Sequence, residues 1–227
     1  MKNDNDIWVV IPAYNEASVV ADVASVVCQH YENVVVVDDG SSDETAQAVL
    51  TTRAWLLQHP INLGQGAALQ TGITFARQRG ACYIATFDAD GQHDIHDIAG
   101  MAHLAAQSGL DVVLGSRFLG SAINMPIRRR LLLKAAILFT QITTGLRLTD
   151  AHNGLRLFSR TATQKLTITH NGMAHASEIL EEISRIGLRY QEYPNTVRYT
   201  AYSLEKGQKA SNSMRIVLEL LLDRFVK

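Results

Sequence analysis

The run Asp88-Ala89-Asp90-Gly91-Gln92-His93 is the densest concentration of chemically useful side chains in the chain. Two carboxylates one residue apart can reach the same hard cation. Mg²⁺ or Mn²⁺ takes oxygen ligands and commonly shares them with substrate phosphates. An ion held by Asp88 and Asp90, with the neutral oxygen of Gln92 nearby, would offset a diphosphate's charge and stabilise it as a leaving group. Asp-x-Asp alone also occurs in solvated turns; what distinguishes this pair is its place at the end of an apolar run, facing other acidic ends. Asp38-Asp39 is one of those ends. One aspartate there could accept hydrogen bonds from a nucleobase or ribose, while an Asx-turn, with Asp43 capping the next helix, accounts for the other. Asp94, like Asp43, reads as a cap.

Asp150, in Thr149-Asp150-Ala151-His152-Asn153-Gly154, has two readings. It is a general base if an acceptor hydroxyl lies within reach, or part of a structural turn in which Gly154 supplies a positive φ. Arg128-Arg129-Arg130 with Lys134 is the dense basic cluster. The macrodipole disfavours cations at a helix N-terminus, so three arginines there point to an anion, a phosphate or a lipid headgroup; a solvated helix start is the plain alternative. Gly64-Gln65-Gly66 begins like a dinucleotide fingerprint, but Leu69 replaces the third glycine and no well-formed strand directly precedes it, which argues against a nicotinamide dehydrogenase. A tight turn exposing backbone N–H groups fits better. The histidines show no zinc-type spacing, and His103 and His170 are incidental.

The elements that must position these groups alternate. Short runs rich in Val, Ile and aromatics predict buried strands over Ile7–Pro12, Val34–Asp38, Tyr83–Asp88 and Asp111–Ser116, with a weaker one over Trp55–His59. Helical spacing predicts helices near Glu16–Gln29, Asp43–Thr52, Gly66–Arg79 and Asp94–Gln107. Such alternation means βαβ units and a largely parallel, doubly wound sheet, whose ligands gather at the carboxyl ends of the strands. Beyond Arg117 a loop opens into a helix on which Leu131, Leu132, Ala135, Leu138, Phe139, Ile142 and Leu146 form an apolar stripe. That stripe reads as core or subunit interface in preference to membrane contact. A strand over Leu155–Phe158, a helix over Ala176–Ile186, a strand over Tyr190–Tyr199 broken by Pro194, a polar loop Ser203–Ser213 and a helix Met214–Val226 complete the prediction.

A chain of 227 residues suits one α/β domain with a C-terminal extension, and 47% hydrophobic residues exclude wholesale disorder. With 21 basic against 22 acidic residues there is no general electrostatic grip on nucleic acid. Cys28 and Cys82 lie in apolar surroundings without metal-type spacing and read as reduced core thiols. The polar start does not resemble a secretory signal, and no apolar run reaches the roughly 18 residues of a membrane span. The expectation is a cytoplasmic protein, with any membrane contact peripheral, at the inner face.

Together these motifs resemble the family 2 glycosyltransferases of the GT-A fold, closest to the dolichyl- or polyprenyl-phosphate sugar transferase branch. The resemblance runs from about Trp8 to Arg198. It rests on Pro12-Ala13-Tyr14-Asn15-Glu16, Val37-Asp38-Asp39-Gly40-Ser41, Asn62-x-Gly64-x-Gly66, Asp88-Ala89-Asp90-x-Gln92-His93, Gly115-Ser116-Arg117 and Asp150-x-x-x-Gly154-x-Arg156. It implies a Rossmann-like α/β fold in one domain, with a nucleotide-sugar-binding half over about 1–117, an acceptor half over about 118–212 and a C-terminal helix over about 213–227. It also implies inverting transfer from a nucleoside-diphosphate sugar. Pro12, Tyr14, Glu16 and Asp39 match nucleoside positions; Asp88, Asp90 and Gln92 match metal and diphosphate positions. Arg117 and Arg129 match basic positions facing an acceptor phosphate, and Arg198 a C-terminal arginine near the diphosphate. Two positions depart from the pattern: Leu133 stands where a phosphate-binding serine is common, and Tyr202-Ser203-Leu204-Glu205-Lys206-Gly207 replaces Gly-x-Ser-Lys.

The expected activity is therefore metal-dependent transfer of a hexose to a polyprenyl phosphate or lipid-linked glycan, with Mg²⁺ or Mn²⁺. A lipid phosphate is already an anion and needs no base; for a sugar hydroxyl, as in surface-polysaccharide assembly, Asp150 is the candidate. A non-catalytic sugar-nucleotide-binding subunit is the rival from another class, and the apolar C-terminal helix is compatible with a homo-oligomer.

Overall fold

The structure, a computed structural model, describes residues 7–199. The predicted helix Met214–Val226 and the loop before it lie outside the described residues. The elements are β1 (Ile7–Ala13), α1 (Val20–His30), β2 (Asn33–Asp38), α2 (Thr45–Leu50), β3 (Trp55–Gln58), α3 (Gln65–Gln78), β4 (Tyr83–Thr86) and α4 (His96–Ser108). There follow β5 (Val112–Ile123), α5 (Ile127–Thr144), β6 (Arg156–Ser159), α6 (Arg160–Lys165), α7 (His175–Arg185) and β7 (Tyr190–Arg198).

The strands form one seven-stranded sheet in the order β3-β2-β1-β4-β6-β5-β7. Only β6 runs antiparallel, against both β4 and β5. The apolar runs are continuous because both faces are covered. Trp8 and Val10 of β1, with Val35 and Val37 of β2, pack in one core with Leu69 and Ile73 of α3 and Ile179 and Ile183 of α7. Their neighbours Ile7, Val9, Ile11, Val34 and Val36 point the other way, onto Val20 and Val27 of α1 and Ile98 and Met101 of α4. This is the mostly parallel, doubly wound sheet that the alternation predicts.

Several boundaries move, each for a local reason. β4 stops at Thr86, so Asp88 and Asp90 lie in the turn beyond it. α1 starts at Val20, later than Glu16, because Asn15 takes a positive φ and the Glu16 amide donates to Thr45 Oγ1. Asp43 Oδ1 and Asp94 Oδ1 accept the backbone N–H of Thr45 and His96 two residues on, in the turns that lead into α2 and α4, but the N-cap positions fall on Glu44 and Ile95, so neither aspartate is the cap expected of it. α6 was not predicted, although Ser159 Oγ caps it by accepting from Ala162 N. Cys28 is buried as expected, whereas Cys82 is only half-buried.

Two corrections bear on function. Pro194 does not break β7, which runs unbroken through it at the sheet edge, where a missing N–H is tolerated. The irregularity falls on β5 instead: Ser116 pairs with Pro194 and Ser121 with Thr196, leaving Arg117–Gly120 opposite the single Asn195. Most of the apolar stripe along α5 is also not core, although Leu146, just past the helix, is. The helix packs through Leu133 and Thr140, while Leu131, Leu132, Leu138 and Ile142 are 64%, 43%, 58% and 75% exposed. α5 is apolar on two sides, and the tertiary packing uses the narrower one. No described helix is long and apolar enough to cross a membrane.

Candidate functional site

Because β1, β2, β4, β5 and β7 all run parallel, their carboxyl ends share one rim of the sheet. The β1–α1 and β2–α2 loops are bolted together there. Asn15 N donates to Ser41 Oγ, and Asn15 Oδ1 accepts from Ser42 N. Pro12 is buried beneath this junction, while Tyr14 stands 45% exposed at its mouth. Asp38 Oδ1 accepts Ser41 N, the turn-forming role foreseen for one of the two aspartates. Asp39 is 2% exposed and builds the neighbouring wall. Its Oδ1 binds His59 Nδ1 at 2.7 Å and Leu63 N at 3.0 Å, and its Oδ2 accepts Gly64 N at 2.7 Å. Two amides of the Gly64–Gly66 turn are thus committed, Gly64 N to Asp39 and Gly66 N to Asn171 O.

Asp88 and Asp90 flank the centre of the rim. Asp88 Oδ2 lies 3.1 Å from His93 Nε2, and Oδ1 accepts from Gln65 Nε2. Burial works against the Asp88 charge, but the His93 hydrogen bond and the nearby Arg156 guanidinium overcome it and hold the carboxyl below its ordinary range. Asp90 has the opposite fate: burial, and then the Asp88 carboxylate, push it up to about 6, with Glu16 adding to the effect. Gln92 is buried; its N–H donates to Asp90 Oδ1 and its carbonyl accepts Arg198 N, which ties the end of β7 to this loop. Two carboxylates that resist sharing negative charge suit a divalent cation. Among the described residues no three or more His, Cys, Asp or Glu converge as a metal set, so an ion here would complete its shell with oxygens from water or a substrate.

A second cluster sits where β5 leaves its register. Arg117 is 5% exposed. Its Nε donates to Asp150 Oδ2 at 2.6 Å, Nη1 to Tyr199 OH at 2.7 Å and Nη2 to His152 O, which commits three of the guanidinium's five N–H groups. Asp150 Oδ2 also accepts Arg117 N and Asn153 Nδ2, whereas Asp150 Oδ1 is buried and accepts no hydrogen bond among the described residues. Arg129, at the start of α5, stacks its guanidinium over the Tyr199 ring at 5.1 Å. Tyr199 thus holds both arginines. Arg128 and Arg130 point to solvent.

Gly154 does not take a positive φ, so the turn reading of that glycine is corrected; its closeness to Asp88 is what excludes a side chain. Arg156 is 4% exposed beneath the rim, and burial lowers it to about 10 against the pull of Asp88 and Asp150. His152 and His175 are both depressed to about 4, by burial and then by Arg156. Leu133 is buried, so that position offers the site nothing polar. Sequence reasoning found the acidic and basic groups; it missed Tyr199, Asn153 and Asn195 as polar partners, because a Tyr or Asn in a strand or turn carries no spacing signal.

The glycosyl transferase family 2 model matches residues 8–167. The UDP-N-acetylglucosamine–dolichyl-phosphate N-acetylglucosaminyltransferase of Methanococcus voltae is 30% identical over 241 residues, covering 96% of each chain. The polyprenol monophosphomannose synthase of Mycolicibacterium smegmatis is 29% identical over 172 residues, covering 71% of this chain and 64% of that one. Among solved structures, glucosyl-3-phosphoglycerate synthase from Mycobacterium tuberculosis superposes with a TM-score of 0.71 at 18% identity, over 95% of this chain and 78% of that one. The same synthase has been solved with Mn²⁺ and uridine-diphosphate-glucose, at a TM-score of 0.70 and 19% identity over 96% of this chain and 78% of that one. At such identities these structures establish the shared fold. The chain belongs to glycosyl transferase family 2, within the range of its lipid-phosphate sugar transferases, and is a glycosyltransferase.

Proposed function

We propose that the enzyme transfers a hexose from a nucleoside-diphosphate sugar to a polyprenyl phosphate, with inversion at the anomeric carbon. The observation that carries this reading is one rim with an acidic end, Asp88 and Asp90, and a buried basic end, Arg117 with Arg129 on Tyr199. Such a rim suits a diphosphate leaving group at one end and an anionic nucleophile at the other.

Tyr14 and Pro12, with Glu16 and the wall organised by Asp39, would hold the nucleoside. Asp88, Asp90 and Gln92 would hold Mg²⁺ or Mn²⁺, whose charge would stabilise the departing diphosphate; Arg198, tied to Gln92 by its backbone, would lie near it. Arg129 and the uncommitted N–H groups of Arg117 would orient the acceptor phosphate. A phosphate oxygen attacks the anomeric carbon as the bond to the diphosphate breaks, and no proton need be removed. The relatives from Methanococcus voltae and Mycolicibacterium smegmatis, named for dolichyl-phosphate and polyprenol chemistry, support this acceptor class. The exposed apolar face of α5 beside Arg128, Arg130 and Lys134 suits contact with an anionic membrane surface, where such an acceptor resides.

The test is direct. Purified protein with Mn²⁺, undecaprenyl phosphate and a panel of radiolabelled UDP- and GDP-sugars should give an organic-extractable product with one donor. Label in water-soluble glycan alone would overturn the lipid-phosphate acceptor. A second reading, transfer to a sugar hydroxyl with Asp150 as base, draws on the unpartnered Oδ1. Under that reading D150N loses hydroxyl transfer across the whole pH range.

A further inference from the structure

Asn195 lies on β7 opposite the looped-out residues Arg117–Gly120 of β5 and is 1% exposed. Two glycines make room for it. A Cβ on Gly120 would fall 2.2 Å from Asn195 O, and one on Gly115 would fall 3.2 Å from Asn195 Cγ. An amide buried this deeply is costly unless both ends are paired, and both are. Asn195 Oδ1 accepts from Asn153 Nδ2 at 3.0 Å, and Asn195 Nδ2 lies 3.4 Å from His93 Nδ1.

The direction of every bond in this chain follows from one backbone group. Leu155 N can only donate, and it does so to Asn153 Oδ1 at 3.1 Å. Asn153 Nδ2 must therefore face outward, to Asn195 Oδ1 and to Asp150 Oδ2 at 3.2 Å. Asn195 then turns its Nδ2 to His93, whose Nδ1 has to accept, and the ring proton sits on Nε2, facing Asp88 Oδ2. A reversed Asn195 amide would set two NH₂ groups against each other. His93 has a side chain 3% exposed, so water cannot substitute for either partner.

We propose that Asn195 is a positioning residue for the transfer reaction: it fixes His93 as the Nε2–H tautomer that holds Asp88, and through Asn153 it ties that carboxylate to the Asp150–Arg117 pair. The acidic and basic ends of the rim are then parts of one hydrogen-bonded network. The role in transfer rests on the proposed function; the hydrogen-bond order does not.

The experiment uses full-length protein labelled with ¹⁵N-histidine. Long-range ¹H–¹⁵N spectra report which ring nitrogen of His93 carries the proton, with H93Q identifying its signals. The expected wild-type state is protonated Nε2 and bare Nδ1. In N195D a carboxylate oxygen faces Nδ1 in place of the donor, so the His93 ring-nitrogen spectrum should depart from its wild-type pattern while kcat falls about 100-fold, the scale of an ångström-level misplacement. Wild-type His93 with its proton on Nδ1 would overturn the proposal even if N195D does not fold. So would N195D that keeps its turnover and the wild-type His93 spectrum. If wild type transfers no sugar to lipid phosphate, the functional reading fails, while the His93 tautomer still decides the network.

Discussion

Gly154 stands against Asp88 so closely that a Cβ built on it would fall 2.0 Å from Asp88 Oδ2. Thr86 Oγ1 donates to Gly154 O at 2.6 Å and fixes the approach. The glycine is required by the carboxylate's position and by no special backbone angle. Asp88 is itself held by His93, so it cannot simply swing away. G154A should therefore keep its fold by circular dichroism, bind Mn²⁺ at least about tenfold more weakly by calorimetry, and lose about 100-fold in kcat.

Asp90 couples stability to function. Its carboxyl is raised from 3.8 to about 6, by burial and then by Asp88, so the folded state binds its proton more tightly than the unfolded state. The stability this contributes is fully present below pH 3.8 and is lost as pH rises through about 6. At neutral pH the ionised carboxylate is a cost, which D90N removes. Without metal, D90N should melt a few degrees (about 2–6 °C) above wild type. It should show no Mn²⁺-dependent shift, and its turnover should fall by orders of magnitude.

His175 works in the opposite sense. Its folded value of about 4 lies below the ordinary 6.5, by burial and then by Arg156, so the unfolded state takes up the proton first. Wild-type stability should fall as pH drops from 6.5 towards 4. Urea unfolding of H175Q should show a slope in that window smaller by up to one proton, about 1.4 kcal/mol per pH unit.

Tyr199 orients two arginines at once, its hydroxyl on Arg117 and its ring under Arg129. Y199F keeps the ring and deletes only the hydroxyl. A hydrogen bond to a charged group is worth about 1.5–3 kcal/mol, so kcat/KM for the acceptor should fall roughly 10- to 100-fold. The dissociation constant of the nucleotide-sugar, measured by calorimetry, should not change.

α5 offers a test of membrane docking. Ile127, Leu131, Leu138 and Ile142 are exposed, so replacing all four by Gln should leave the melting temperature within about 2 °C of wild type, as surface substitutions usually do. Co-sedimentation with anionic vesicles should weaken at least about tenfold, since binding scales with buried apolar area. Unchanged co-sedimentation would remove this face from the membrane-contact reading.

The sheet and the candidate groups were legible for a common reason. β1, β2 and β4 are buried on both faces, so their residues form unbroken apolar runs, and the polar residues that end each run stand out. β5 was read only to Ser116 because its outer part, Leu119–Ile123, is mixed in polarity and held by pairing with β7. The core reading of the α5 stripe fails for most of its residues because periodicity reports that a helix has an apolar face and is silent on which face meets the core. Leu133 and Thr140 are the side that packs.

The order of chain elements, the strand ends that carry Asp38, Asp39, Asp88, Asp90 and Arg117, and the family follow from the sequence by itself, because each depends on residue types near one another in the chain. The tertiary structure alone decided which of these groups meet. Arg117 finds Asp150 and Tyr199, and His93 finds Asn195, across long stretches of chain. Those pairings gather where the extra residues of β5 are looped out against β7, and no local pattern encodes how two distant strands settle their register.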